Sequence, residues 1–256
     1  MAEEKADVTV DLDDDGIAMV QIHRPPANFF DVSVITELCV AYESLDDNPT
    51  ARVIVLCSEG KHFCAGANHA DDGSAAPDPM ALYAQAVRLF SSTLPVVAAV
   101  QGAAIGGGLG LALSADFRVV GEDSRLAANF ALLGLHKGFG VSVTLPAVIG
   151  EQRALQLLYT GRRIGGNEAF HIGLADRLAP DGDVLSAAHD FAAEIATSAP
   201  LAVRSIRKTM RGHLAEAVER AMELELREQR LLRATEDFTE GIRASAERRA
   251  PHFQGR

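Results

Sequence analysis

The feature that most constrains this chain is the run from Leu94 to Ala115, 22 residues without a charge. A helix of that length can cross a bilayer. Five of its residues are glycine (Gly102, Gly106, Gly107, Gly108, Gly110), and Pro95 and Gln101 interrupt it further. Each glycine costs about 1 kcal/mol in a helix interior, so a continuous spanning helix is a poor reading. The run reads instead as a buried strand (Pro95–Val100), a glycine-rich turn and a short buried helix (Gly108–Ser114), and no membrane partner is expected.

The flanking segments agree. Val8–Asp11 and Ile17–Ile22 are β-rich runs joined by the turn signal Asp13-Asp14-Asp15-Gly16. Ser33 opens a helical pattern that closes at Asp46–Pro49. Arg52–Cys57 and Phe117–Val120 read as buried strands, with a helix at Met80–Phe90 before the uncharged run. Strands alternating with helices predict an α/β core built from right-handed crossovers. From Pro146 onward the pattern is nearly all helical: Gln152–Tyr159, Asn167–His171, Val184–Ser198, one long helix over Leu201–Leu232, and Phe238–Arg248. The expected organisation is a core over residues 1–195 with a helical region over 196–256 of the same domain.

Charge and cysteine content narrow the function. The chain carries 24 basic and 35 acidic residues, a net charge of −11. Phosphate backbones need a concentrated basic face, so nucleic acid is not an expected partner. Cys39, Cys57 and Cys64 lack metal-ligand spacing and read as free thiols of a reducing compartment. No apolar run follows Met1, and a cytoplasmic location is expected.

Two loops, each after a buried strand, could carry chemistry: Gly60-Lys-His-Phe-Cys-Ala-Gly-Ala-Asn68 and Val100-Gln-Gly-Ala-Ala-Ile-Gly-Gly-Gly-Leu-Gly110. N–H groups at a glycine-rich turn or helix start are unpaired and favour negative charge. Two such loops facing each other would supply two donors to one oxygen, an oxyanion hole. A dinucleotide-binding turn is the rival, since Glu122 and Asp123 follow the next strand. Against it, the helix after the glycines offers only about two turns before Asp116.

Seven motifs then occur in order: His23-Arg-Pro-Pro-Ala-Asn28, Phe63-Cys-Ala-Gly-Ala-Asn68, Gln101-Gly-Ala-Ala-Ile-Gly-Gly-Gly108, Leu145-Pro-x-x-Ile-Gly150, Gly161-Arg-Arg, Glu168-Ala-x-x-x-Gly-Leu174 and Ala234-Thr-Glu-Asp-Phe-x-Glu-Gly241. Together they resemble the crotonase (enoyl-CoA hydratase/isomerase) superfamily, from about Val8 to Phe253. The resemblance implies a spiral of β-β-α repeats with a helical C-terminal trimerisation region, and a homotrimer or dimer of trimers. It also implies binding of an acyl-CoA thioester, with no separate cofactor, and with the thioester oxygen between the amides of Ala67 and Gly107. Arg24, Ala65, Asn68 and Arg248 join those two as expected contacts to the substrate or its coenzyme A.

The sequence departs from the hydratase pattern where it matters most. The two glutamates that handle water and proton would fall at Gly110 and Phe130, and the acid of dienoyl-CoA isomerases maps near Gly138. An aspartate usual in the family is Asn68 here. General acid–base help is worth roughly 10²–10⁴-fold per group, so ordinary hydration is expected to be weak. His136 and His69 are the candidate replacements, set against a solvent-facing loop histidine and a pocket-mouth residue respectively. Three readings stay open: an enoyl-CoA hydratase/isomerase-like enzyme, a hydrolase or decarboxylase using His136 or His69, and a non-catalytic acyl-CoA-binding protein.

Overall fold

The computed structural model describes residues 6–67, 79–179 and 183–256. The hairpin of β1 (Val8–Leu12) and β2 (Ile17–Ile22) is antiparallel. Its turn is held by Asp13 Oδ1, which accepts from the N–H of Asp15 and Ile17 at 3.0 and 2.8 Å. Gly16 has φ +80°, and a Cβ there would stand 2.4 Å from Thr50 O, so only glycine closes this turn. Helix α1 (Val32–Asp46) is capped by Asp31 and begins one residue before Ser33, where the sequence reading started it. It crosses over to β3 (Val53–Ser58), which pairs parallel with β2.

Helix α2 (Pro79–Leu89), strand β4 (Val96–Val100), the short strand β5 (Ala103–Ile105) and helix α3 (Gly107–Ser114) follow. The stretch expected to be a glycine-rich turn therefore contains a strand. Next come β6 (Phe117–Gly121), β7 (Arg125–Ala127), a 3-10 turn over Asn129–Leu133, α4 (Val141–Ile149) and α5 (Glu151–Thr160). Then β8 (Arg163–Gly165), α6 (Gly166–His171) and β9 (Arg177–Ala179) complete the strands. Helix α4 begins five residues before the expected helical onset and carries Pro146 inside it.

The strands form a six-stranded sheet, β1-β2-β3-β4-β6-β9, and a three-stranded one, β5-β7-β8. Each successive pair (β4 and β5, β6 and β7, β8 and β9) sends one strand to each sheet. That alternation is the spiral of repeats the motifs imply. β3 and β4 are buried on both faces. Ile54, Leu56 and Ala98 point into the main core; Val53, Val55, Val97 and Ala99 point to a second layer. Helix α7 (Val184–Ala196) covers that second face with Ala188, Ala192 and Ala196, a four-residue repeat of small side chains that lets it lie close.

The expected single helix over Leu201–Leu232 is two, α8 (Pro200–Arg211) and α9 (Leu214–Arg233), followed by α10 (Glu236–Ala246). The inward spacing runs unbroken through the join, from Arg207 and Arg211 to Leu214, Val218 and Met222, so periodicity alone does not show the break. Gly212, a weak helix former, sits at it. Helix α9 packs Leu214, Val218 and Met222 into the main core. Helix α8 docks through arginines and leaves Leu201, Ile206 and Met210 exposed at 81, 62 and 70%. Among the described residues no helix is long and apolar enough to cross a membrane.

Candidate active site

Asn28 organises the first loop. It is fully buried with φ +48°, a conformation asparagine tolerates better than most residues. Its Nδ2 donates to Glu59 O and His62 O at 2.8 and 2.6 Å, and its Oδ1 accepts from Arg24 N at 3.0 Å. The loop is also pinned to the second one: Cys64 N donates to Ala103 O at 2.9 Å, and Ile105 N to Cys64 O at 3.1 Å. Ala65 N donates to Ala27 O at 2.9 Å, and Phe30 N to Gly66 O at 3.1 Å.

The two loops touch at their glycines. A Cβ on Gly66 (φ +91°) would lie 2.8 Å from Ile105 O and 3.4 Å from Gly107 N. A Cβ on Gly108 would lie 2.1 Å from Cys64 O. Gly106 turns the chain at φ +56° into α3, and its own N–H is used by Ala127 O at 2.8 Å. Gly107 is the first residue of α3, so its N–H has no partner within the helix and lies at the positive end of the dipole.

Ala67 and Gly107 line one narrow cavity of about 60 Å³. Its walls are mostly apolar and aromatic: Phe30, Phe130, Leu135 and Phe139, the rings of Phe30 and Phe139 packing with centroids 5.1 Å apart. Its polar lining comes from Tyr83, Gln229 and Arg233. Two backbone donors on an apolar wall can hold a thioester oxygen and stabilise the charge that develops when it becomes an enolate.

The positions where carboxylates were absent from the sequence are filled with something else. A Cβ on Gly110 would stand 2.7 Å from Phe139 Cβ, so the volume of a side chain at 110 is taken by Phe139. Phe130 lines the cavity with its ring. At Gly138 a Cβ would lie 1.9 Å from Tyr83 Oη and 2.5 Å from Gln229 Nε2. Gly110→Ala should therefore cost about 1–3 kcal/mol by overpacking, read as a fall in the urea midpoint. An unchanged midpoint would mean Phe139 moves freely.

Other candidates fall as follows. His136 is half-buried, but its Nδ1 lies 2.8 Å from Lys137 O and its side chain is not part of the cavity lining. Its carbonyl instead accepts from Gln229 Nε2 at 3.0 Å. Asn68 and His69 lie outside the described residues. The Arg24 guanidinium is clasped by Asp7 and Asp31, each at 2.5 Å, and Arg248 is exposed at the end of α10 with φ +54°. His23 pairs with Glu59 and Thr9, both at 2.7 Å, as a structural group. Burial pushes the Cys64 thiol up to about 12, so it stays protonated and inert near neutral pH.

Glu225 on α9 is fully buried and accepts from Gly140 N and Ser142 N, both at 3.0 Å, capping α4 beside the cavity. Tyr83, Gln229 and Arg233 were not singled out from sequence. Tyr83 sits on α2 and the other two on α9, and no local motif links them. A larger depression of about 540 Å³ lies between α10 and the C-terminal tail, but its Glu236, Glu240 and Arg249 are engaged with other charges and it contains no residue of either glycine loop. Among the described residues no cluster of three metal-ligating side chains occurs.

Comparison with known proteins agrees with this architecture. The profile of the enoyl-CoA hydratase/isomerase family matches residues 13–256. The "Probable enoyl-CoA hydratase" of Bacillus subtilis (strain 168) is 32% identical over 249 residues, covering 94% of this chain and 96% of that protein. A crotonyl-CoA hydratase of Syntrophomonas wolfei is 32% identical over 244 residues, covering 93% of this chain and 94% of that one. The crystal structure of an enoyl-CoA hydratase/isomerase from Pseudoalteromonas atlantica T6c superposes with a TM-score of 0.86 at 27% identity, covering 97% of this chain and 100% of that chain. With spiral, loops and motifs in one order along nearly its whole length, the chain belongs to the enoyl-CoA hydratase/isomerase family of the crotonase superfamily.

Proposed function

We propose that the chain is an acyl-CoA enzyme in which the N–H groups of Ala67 and Gly107 hold the thioester oxygen and stabilise an enolate. The observation that carries this reading is the convergence of both glycine loops on one apolar cavity. Two preorganised donors favour the enolate over its neutral ground state. Hydration of simple enoyl thioesters is slow, because Gly110 and Phe130 can neither activate water nor return a proton. The coenzyme A thioester is the substrate, and the reading calls for no further cofactor.

Ala65 and Asn68 flank the thioester in this proposal, and Arg24 and Arg248 meet the coenzyme A phosphates, Arg24 by exchanging Asp7 or Asp31 for phosphate. Arg248→Ala should raise the Kd for acyl-CoA about two- to fivefold at low ionic strength, and less at high salt. An unchanged Kd at low salt removes Arg248 from the phosphate site. The exposed apolar face of α8 (Leu201, Ile206, Met210) supports assembly as a homotrimer or dimer of trimers.

A second reading, an acyl-CoA-binding protein without turnover, is favoured by the same two empty carboxylate positions. Incubation with enoyl-, dienoyl- and malonyl-type CoA thioesters in ¹⁸O-labelled water, read by mass spectrometry and chromatography, separates them. Converted thioester supports the enzyme. Saturable binding with every thioester returned unchanged makes the chain a carrier or sensor.

A further inference from the structure

Three side chains at the β1 edge of the large sheet form a line that the proposed thioester site does not use. His23 Nδ1 lies 2.7 Å from Glu59 Oε2, and His23 Nε2 lies 2.7 Å from Thr9 Oγ1. The two bonds that anchor His23 also fix its tautomer. A carboxylate only accepts, so Nδ1 carries the hydrogen and donates it to Glu59. On the neutral ring Nε2 is then a lone pair, and the Thr9 hydroxyl donates to it. The hydroxyls of Thr36 and Thr50 donate instead to Val32 O and Asn48 Oδ1, neither of which takes up a proton.

Exposure differs along the line. The imidazole is 11% exposed, whereas Thr9 is exposed on β1. A reagent in solution reaches the hydroxyl while the base behind it keeps its orientation. β1 is the edge strand of its sheet. His23 N donates to Asp7 O at 2.8 Å and Asp13 N to Ile17 O at 3.1 Å, so the backbone groups of Thr9 and Asp11 face β2. The Val10 N–H points the other way, out of the sheet edge. An N–H one residue after a nucleophile is a recurrent oxyanion donor in acyl-transfer sites. The neighbouring charges Arg24 and Asp7 pair with each other, and Glu59 is the carboxylate on the ring.

We propose that Thr9 is a nucleophile, His23 its general base and Glu59 the group that orients the base, and that this site accepts acyl groups from small thioesters. The Thr9 O–H bond breaks, its proton passes to His23 Nε2, and the oxygen forms a bond to the thioester carbon. The resulting oxyanion has the Val10 N–H as its backbone donor. The carbon–sulfur bond then breaks with its electron pair on sulfur, and the thiolate takes the proton from Nε2. In sum, thioester and threonine give an acyl-threonine ester and a free thiol. The site is separate from the cavity of Ala67 and Gly107, and the proposal does not rest on the oxyanion hole there.

The test treats the protein with S-acetyl-N-acetylcysteamine, a thioester without the nucleotide part of coenzyme A, and maps acetyl groups by peptide mass spectrometry. Thr9 is expected to be acetylated about 10²–10⁴-fold faster than Thr36 or Thr50. Hydroxylamine should remove that group, as it does from an ester and not from a lysine amide. Thr9→Val, at an exposed position, should abolish the label, and His23→Gln should slow it at least about 100-fold with the hydroxyl still present. Glu59→Gln, with a side chain 40% exposed, is the second variant should His23→Gln fail to fold, and about a tenfold loss is expected there. Thr9 labelled no faster than Thr36 and Thr50 overturns the proposal. An unchanged rate at Thr9 in folded His23→Gln, or in Glu59→Gln, overturns the roles of base and orienting group.

Discussion

On the oxyanion-hole role proposed for Ala67 and Gly107, replacing Gly66 with alanine is expected to lower thioester turnover by about 10²–10³-fold, the loss typical when one oxyanion donor is misplaced. Gly66 precedes Ala67 and adopts φ +91°, outside the small left-handed region open to other residues. The added Cβ meets Ile105 O at 2.8 Å and Gly107 N at 3.4 Å. Neither atom can rotate away, because both are backbone and Ile105 is tied to Cys64. The loops must therefore separate, and the two amides with them. Backbone strain alone is worth about 1–3 kcal/mol of stability. Gly150→Ala is the control: its φ is +79°, but a Cβ there meets nothing within 4 Å. It should lose comparable stability and keep full kcat. Equal activity losses in the two variants would show that Gly66 matters for folding and not for the spacing of the donors.

Asp116→Ala should be the most destabilising single change, at about 3–5 kcal/mol, because it leaves buried guanidinium groups uncompensated. Asp116 Oδ2 accepts from Val96 N at 2.8 Å and from Arg207 Nε at 2.9 Å. Arg211 Nε stands 2.9 Å from Oδ1 as an ion pair without hydrogen-bond alignment. The exposures of the Arg207 and Asp116 side chains are 9% and 8%. This carboxylate thus joins the end of β4 to α8, a helix that buries no apolar side chain of its own. A fall in Tm on the order of 10 °C is expected. Asp116→Asn should recover part of it by still accepting from Val96. A loss under about 1 kcal/mol would mean that water reaches the two arginines and replaces the carboxylate.

Much of the fold was legible in the chain. β2 is read to the residue, and β3, β4 and α1 to within one or two, because continuous apolar runs and capping residues are local signals. The three-residue strands β5, β7, β8 and β9 were not, since so short a segment has no measurable period. Nor was the break at Gly212, across which the inward spacing of α8 and α9 stays in phase. At the site, the glycines and their order were readable because close backbone approach leaves a composition trace. The empty positions 110, 130 and 138 were also visible as missing carboxylates. What fills them was not: Phe139 occupies the volume beside Gly110, and Tyr83 that beside Gly138.

The sequence by itself determined the family through the order of its motifs, and the spiral of strands only as what that resemblance implies; from its own residues it showed the longer elements and the two loops able to present backbone donors. Those elements and loops depend on neighbours in the chain, through φ angles, turns and periodicity. Only the tertiary structure decided which side chains share the cavity with those donors. Tyr83 of α2, Gly138 of the loop before α4 and Gln229 of α9 meet across long stretches of chain. No local pattern encodes that meeting; packing of the helices on the core brings the phenol into the space that glycine vacates.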